Sequence, residues 1–133
     1  MININDIIYI VADYFKITKN DILGKSRKQV FVYPRYIAIY ISRKYLPFLK
    51  LQDFVLPFRR DHSVILTAEA KIGSYLTSKD LRLKENTYND ILSIQKIIKK
   101  QGFQLTHKVE ELDFNKINTF NDFYPGYTIT LSL

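Results

Sequence analysis

The sequence predicts a mainly α-helical protein: a helix-turn-helix bundle over residues 1–79 that carries a small α+β extension over residues 80–133. Three observations lead there. Apolar residues recur at helical spacing through most of the first hundred positions. Two such stripes, Leu51, Phe54, Val55, Phe58 and then Ile65, Ala68, Ile72, Leu76, are only a few residues apart, with Asp61 placed to cap the second. Past Gly102 the period changes to strict alternation, at Phe103, Leu105, His107 and Val109 and again at Tyr127, Ile129, Leu131 and Leu133.

In chain order, Asn5 is expected to cap a first helix that buries Ile8, Val11, Ala12 and Phe15. Thr18 and Asp21, three residues apart, form a capping pair for a short helix, and Gly24 is expected to end it in a left-handed conformation. A basic loop follows, Lys25-Ser26-Arg27-Lys28, and Gln29 to Tyr33 lead apolar into the next element. Pro34 is read as the first residue of a long helix with Ile37, Ala38, Ile41 and Tyr45 inward and Arg35, Ser42 and Arg43 on more polar ground; Pro47 stops it. The helix capped by Asp61 turns His62, Ser63, Thr67 and Lys71 outward. Thr77 to Asp80 mark a break, and Thr87 is expected to start one more helix, with Ile91, Ile94 and Ile98 inward and Gln101-Gly102 closing it.

The two alternating runs read as strands, with Pro125-Gly126 the turn before the second. Between them lies an acidic and aromatic loop, Glu110 to Phe123. Two strands alone bury too little to be stable, so they need the Thr87 helix, the N-terminal domain or another protein to pack on. Residues 101–133 are therefore the surface assigned to a protein partner. Residues 1–84 are expected to fold without them.

A chain of 133 residues with 47% hydrophobic content suits one core, or a small domain plus an appendage. With no cysteine, disulfides and thiolate zinc sites are excluded. The first six residues lack a basic region, and no apolar run approaches the ~20 residues of a membrane span, so the expected location is the cytoplasm. Gly24-Lys25-Ser26 resembles the end of a phosphate-binding loop, but that motif needs a glycine where Lys19 stands, and no strand precedes it. His107 with Glu110 and Glu111 lacks a further ligand set. No cofactor, metal or catalysis is expected.

Charge is unevenly spread. Residues 1–78 hold twelve Lys/Arg against six Asp/Glu, residues 79–133 eight against seven, and the stretch 25–60 holds nine bases with Asp53 as its one acid. Such a cluster is often just a solvated face. Beside a helix-turn-helix pattern it favours a phosphate-binding surface.

Pattern alone leaves a helix-turn-helix and an ordinary helical hairpin with a basic turn equally open. Arg60-Asp61-His62-Ser63, followed by Val64-Ile65-Leu66 and Ala68, resembles the signature of the DNA-binding domain of DnaA-type bacterial replication initiators. Ile8, Val11 to Phe15, Asp21 to Arg27 and Pro34 to Ala38 match that domain's opening helix, basic loop and central helix in order and spacing, so the resemblance covers roughly residues 5 to 79. It implies sequence-specific binding of double-stranded DNA at DnaA-box-like sites, linked to replication initiation or its regulation. Arg60, Asp61, His62 and Ser63, with Thr67 and Arg59 beside them, would face the major groove and adjacent phosphates. Arg27 would enter the minor groove, with Lys25, Lys28 and Arg35 on phosphates. Tyr36, where the family often has Gln, could bond a phosphate or serve as core. The family's two glycines before Arg-Asp-His are replaced by Arg59 alone, one residue fewer. The competing reading is an adaptor or transcription regulator whose basic face docks an acidic partner. A magnesium-dependent nuclease stands further back.

Overall fold

A computed structural model describes residues 2–101. Among the described residues the ordered elements are helical, and their apolar faces meet in a core to which all the longer helices contribute. The first helix, α1 (Ile4–Phe15), starts earlier than expected, because Asn3 rather than Asn5 caps it. Asn3 Oδ1 accepts from Asp6 N–H at 2.9 Å while Asn3 N–H donates to Asp6 Oδ2 at 3.0 Å, a reciprocal pair that Asn5 has no acid to form. The second helix, α2 (Lys19–Leu23), opens on the expected Thr18/Asp21 pair, at 3.1 and 2.8 Å. Gly24 closes it in extended rather than left-handed backbone (φ −73, ψ 179). Glycine is needed there for proximity: a Cβ would lie 2.9 Å from the Asn20 carbonyl oxygen.

The central helix, α3 (Gln29–Tyr45), begins five residues before Pro34. The carbonyl of Lys28 accepts from both Phe31 and Val32 at 2.9 Å, so the first turn is already closed when Pro34 is reached. There a missing N–H frees only one carbonyl of the first turn. Ile37 to Ser42 are all buried, so α3 is enclosed on every side rather than on one face. It packs against α1, α2 and the later helix capped by Asp61. Ser42, expected on polar ground, is therefore inside, as is Lys44.

The expected stripe at 51–58 is split into a 3-10 turn (Leu51–Phe54) and one turn of helix, α4 (Val55–Phe58), with Phe54 and Phe58 as its fully buried members. Then α5 (His62–Leu76) buries Ile65, Ala68, Ile72 and Leu76 completely, as the spacing predicts.

The last described helix, α6 (Leu81–Lys100), starts six residues before Thr87. Asp80 takes the capping role, accepting from Arg82 and Leu83 N–H at 3.1 and 3.3 Å, and Thr87 is a buried residue inside the helix. Tyr88, Ile91, Ile94 and Ile98 join the same core as α1 and α5. The Asp90 carboxylate ties the layers together, accepting from Tyr14 of α1 at 2.8 Å and Tyr33 of α3 at 2.7 Å. Burial first, and the carboxylate second, raise the Tyr14 pKa, and burial raises that of Tyr33, so both phenols stay donors. The break at Thr77 to Asp80 separates two helices that share one core. The expectation that residues 1–84 fold alone conflicts with this packing, since the buried residues of α6 from Thr87 onward lie beyond that cut. The two expected strands, their acidic loop and His107 lie outside the described residues. No helix among the described residues is long and apolar enough to cross a membrane.

Candidate nucleic-acid interface

The interface is built where the chain reverses between α4 and α5. Arg59 takes a left-handed conformation (φ 55, ψ 40), which lets its own N–H reach Leu56 O and the Arg60 N–H reach Val55 O, both at 3.1 Å. The reversal sets α5 off immediately, with Asp61 as its cap. Asp61 Oδ1 accepts from Val64 N–H at 3.1 Å and from the Ser63 hydroxyl at 2.6 Å. Those two bonds, the hydroxyl first, hold the Asp61 pKa below the usual carboxylate value.

Beneath this turn, two arginines are committed to the fold. Arg35, 4% exposed, donates to the carbonyl oxygens of Ile22 (2.6 Å), Gly24 (3.0 Å), Ser26 (3.1 Å) and Asp21 (3.3 Å). It thus caps the carbonyl end of α2 and fastens the basic loop to α3. Arg60 donates to Leu23 O at 3.2 Å, Arg59 O at 3.0 Å and also Gly24 O, joining the α4–α5 turn to the same loop. Burial lowers both guanidinium pKa values, and for Arg35 the Arg60 cation adds to the effect. Both remain charged.

These interactions bear on two expectations. Arg35 was assigned to a DNA phosphate, yet its guanidinium is turned inward and four carbonyls take up its donors. Arg60 was assigned to base edges and adjacent phosphates, yet it is held against the loop carbonyls. The basic stretch 25–60 is also less of a surface than its count suggests. Arg43 pairs with Glu69 of α5 at 2.7 Å and lies 5.2 Å over the Phe54 ring, and Lys44 is buried. The exposed bases of that stretch are Lys25, Arg27, Lys28, Lys50 and Arg59.

Lys25, Arg27, Arg35, Arg59 and Arg60 line one cavity of about 560 Å³ together with Ser26, Gln29, Val32, Tyr36 and Val64. Five bases and no acid surround it. Tyr36 packs on the core and also lines the cavity. Lys28 stands exposed at the cap of α3, outside the cavity lining. On the adjoining helix, His62, Ser63 and Thr67 are exposed, Ser63 and Thr67 on the side of α5 opposite the buried stripe and His62 at its first turn. Ser26, Gln29, Val32 and Val64 line the cavity without having been among the candidate site residues. Starting α3 at Pro34 had put Gln29 and Val32 in a lead-in rather than on a helix facing the loop, whereas an early helix start with Lys28 as cap would have signalled them.

A family model described as the bacterial dnaA protein helix-turn-helix matches residues 4–72, from α1 into α5. The chromosomal replication initiator protein DnaA of Treponema pallidum is 37% identical over 83 residues, which is 61% of this chain and 18% of that protein. The protein of the same name from Acholeplasma laidlawii is 34% identical over 100 residues, 74% of this chain and 20% of its own length. That of Limosilactobacillus reuteri is 40% identical over 91 residues, 64% of this chain and 18% of its own. The chain thus spans about a fifth of the length of the curated relatives it matches.

Proposed function

This chain belongs to the bacterial DnaA helix-turn-helix family, and from that premise we propose that it binds double-stranded DNA sequence-specifically, at DnaA-box-like sites, in replication initiation or its regulation. The observation that carries the reading is the cavity at the α4–α5 turn, whose five basic residues face no acid. Uncompensated cations beside the start of an exposed helix suit a phosphate backbone, since each phosphate neutralised releases condensed counterions.

In this reading α5 enters the major groove N-terminus first, as the second helix of such a motif does. His62, Ser63 and Thr67 then reach base edges. Lys25, Lys28 and Arg59 hold phosphates, and Arg27 extends from the basic loop into the neighbouring minor groove, where a narrow A·T-rich tract concentrates negative potential. Arg35 and Arg60 position the loop and the turn instead of touching DNA. The role is binding without a chemical step, because the matched segment is the helix-turn-helix alone.

Selection of bound sequences from a random duplex library tests this. An enriched motif is expected, and His62→Ala should flatten the preference by roughly 1–3 kcal/mol at one position while leaving non-specific affinity nearly intact. Absence of any enrichment, with capture of an acidic protein instead, would favour the adaptor reading.

A further inference from the structure

Among the described residues, two that are not glycine occupy left-handed backbone, Lys16 (φ 58) and Arg59 (φ 55). Both close a helix in the same way. After Lys16, the Ile17 N–H returns to Ala12 O at 3.0 Å; after Arg59, the Arg60 N–H returns to Val55 O at 3.1 Å. Glycine takes this conformation without penalty, whereas a Cβ crowds the following carbonyl. The two positions are matched in backbone and differ in surroundings.

Lys16 stands exposed at the end of α1, away from the cavity lining. Arg59 is on that lining. Of the four arginines there, Arg35 and Arg60 give their donors to carbonyls and Arg27 stands exposed on the basic loop, while the Arg59 guanidinium makes no hydrogen bond or ion pair with any described residue. Its backbone is also fixed relative to α5, because the turn it makes is followed at once by the Asp61 cap. A cation held this way meets the same phosphate each time α5 docks, and phosphate contacts of that kind set a protein's register on the duplex.

We propose that Arg59 is a register-setting DNA-phosphate contact kept at a backbone position that favours glycine, so that affinity is gained at the expense of fold stability. The proposal rests on the duplex-binding reading above and assigns it a residue at which the two properties oppose each other.

The test measures thermal stability and DNA affinity on the same variants of the 133-residue chain, with a mixed-sequence duplex of about 30 base pairs as probe, since phosphate contacts are read without regard to sequence. Arg59→Gly should raise Tm by about 2–5 °C, and weaken binding roughly fivefold with a salt slope shallower by about one unit. Arg59→Ala should weaken binding equally with no gain in Tm, separating loss of the side chain from relief of the backbone. Lys16→Gly should raise Tm alike and leave affinity within about twofold. A lower Tm for Arg59→Gly, or unchanged affinity while Lys25→Ala and Arg27→Ala weaken binding, would overturn the proposal and leave the duplex-binding reading standing. Failure of the unsubstituted chain to bind the probe at low salt would overturn both.

Discussion

Replacing Arg35 by methionine separates a structural arginine from a DNA-binding one, because methionine keeps the buried stem and removes the guanidinium. Four carbonyl oxygens lose a charged donor: Ile22, Gly24, Ser26 and Asp21, at 2.6 to 3.3 Å. A hydrogen bond to a charged group is worth about 1.5–3 kcal/mol net, and a buried acceptor left without a donor costs a further ~1–3 kcal/mol. The Asp21 bond is long and some of these carbonyls can turn to water, so the total falls short of the sum, at about 3–5 kcal/mol. Against a whole-domain stability of roughly 5–15 kcal/mol that is a large fraction. In a chain of this length it lowers Tm by about 10–20 °C. Thermal melting followed by circular dichroism measures this, and duplex affinity taken well below both transitions supplies the contrast: its salt slope should be nearly unchanged. A Tm within about 2 °C of the unsubstituted protein, together with a slope smaller by about one, would refute the assignment and return Arg35 to the phosphates. Because Arg60 also donates to Gly24, that carbonyl keeps a charged donor in either single variant, so Arg35→Met combined with Arg60→Met should cost more than the two single changes added.

Three further outcomes are expected. A chain ended at residue 84 should be unfolded by circular dichroism, because Tyr88, Ile91, Ile94 and Ile98 contribute about 2 kcal/mol apiece through burial, comparable in sum with the stability of the domain. If A·T pairs beside the major-groove site are changed to inosine·cytosine, affinity should hold, whereas G·C should lose it and Arg27→Ala should erase the difference, since the guanine amino group is what the minor groove adds; equal binding to all three duplexes would make Arg27 a plain phosphate contact. Stability should rise with pH above neutrality. Burial pushes the Lys44 pKa down to about 6, the Glu69 carboxylate opposing and Arg43 adding to the effect. Between that value and the unfolded value near 10.4 the unfolded chain holds a proton the folded one lacks, so ΔG of unfolding climbs by up to about 1.4 kcal/mol per pH unit. Denaturant melts at pH 7 and pH 9 should show the climb, and Lys44→Met should flatten it.

The turn and α5 were legible because their signals are local. Asp61 has its cap geometry written into its neighbours, and Ile65, Ala68, Ile72 and Leu76 follow a period nothing else competes with. Helix starts were less legible wherever two candidates stood close: Asn3 won over Asn5 through the position of Asp6, and Asp80 over Thr87 because the Asp80 carboxylate accepts from two N–H groups of the first turn while Thr87 is buried inside the helix. The role of charge was least legible. Arg27 and Arg35 look alike in a sequence, and only the fold reveals that one is exposed while the other faces the carbonyl end of a short helix. Once Arg35, Arg43, Lys44 and Arg60 are set aside as buried or bonded within the fold, the exposed bases of the stretch are Lys25, Arg27, Lys28, Lys50 and Arg59, of which Lys25, Arg27 and Arg59 line the cavity.

That smaller number is what a salt titration of duplex binding reads most directly. With Lys25, Arg27, Lys28 and Arg59 as the phosphate- and groove-facing cations, a plot of log K against log salt should be linear with a slope of about −3 to −4. A slope near −6 or steeper would mean that Arg35 and Arg60 also reach the backbone. A slope near zero would contradict duplex DNA binding itself.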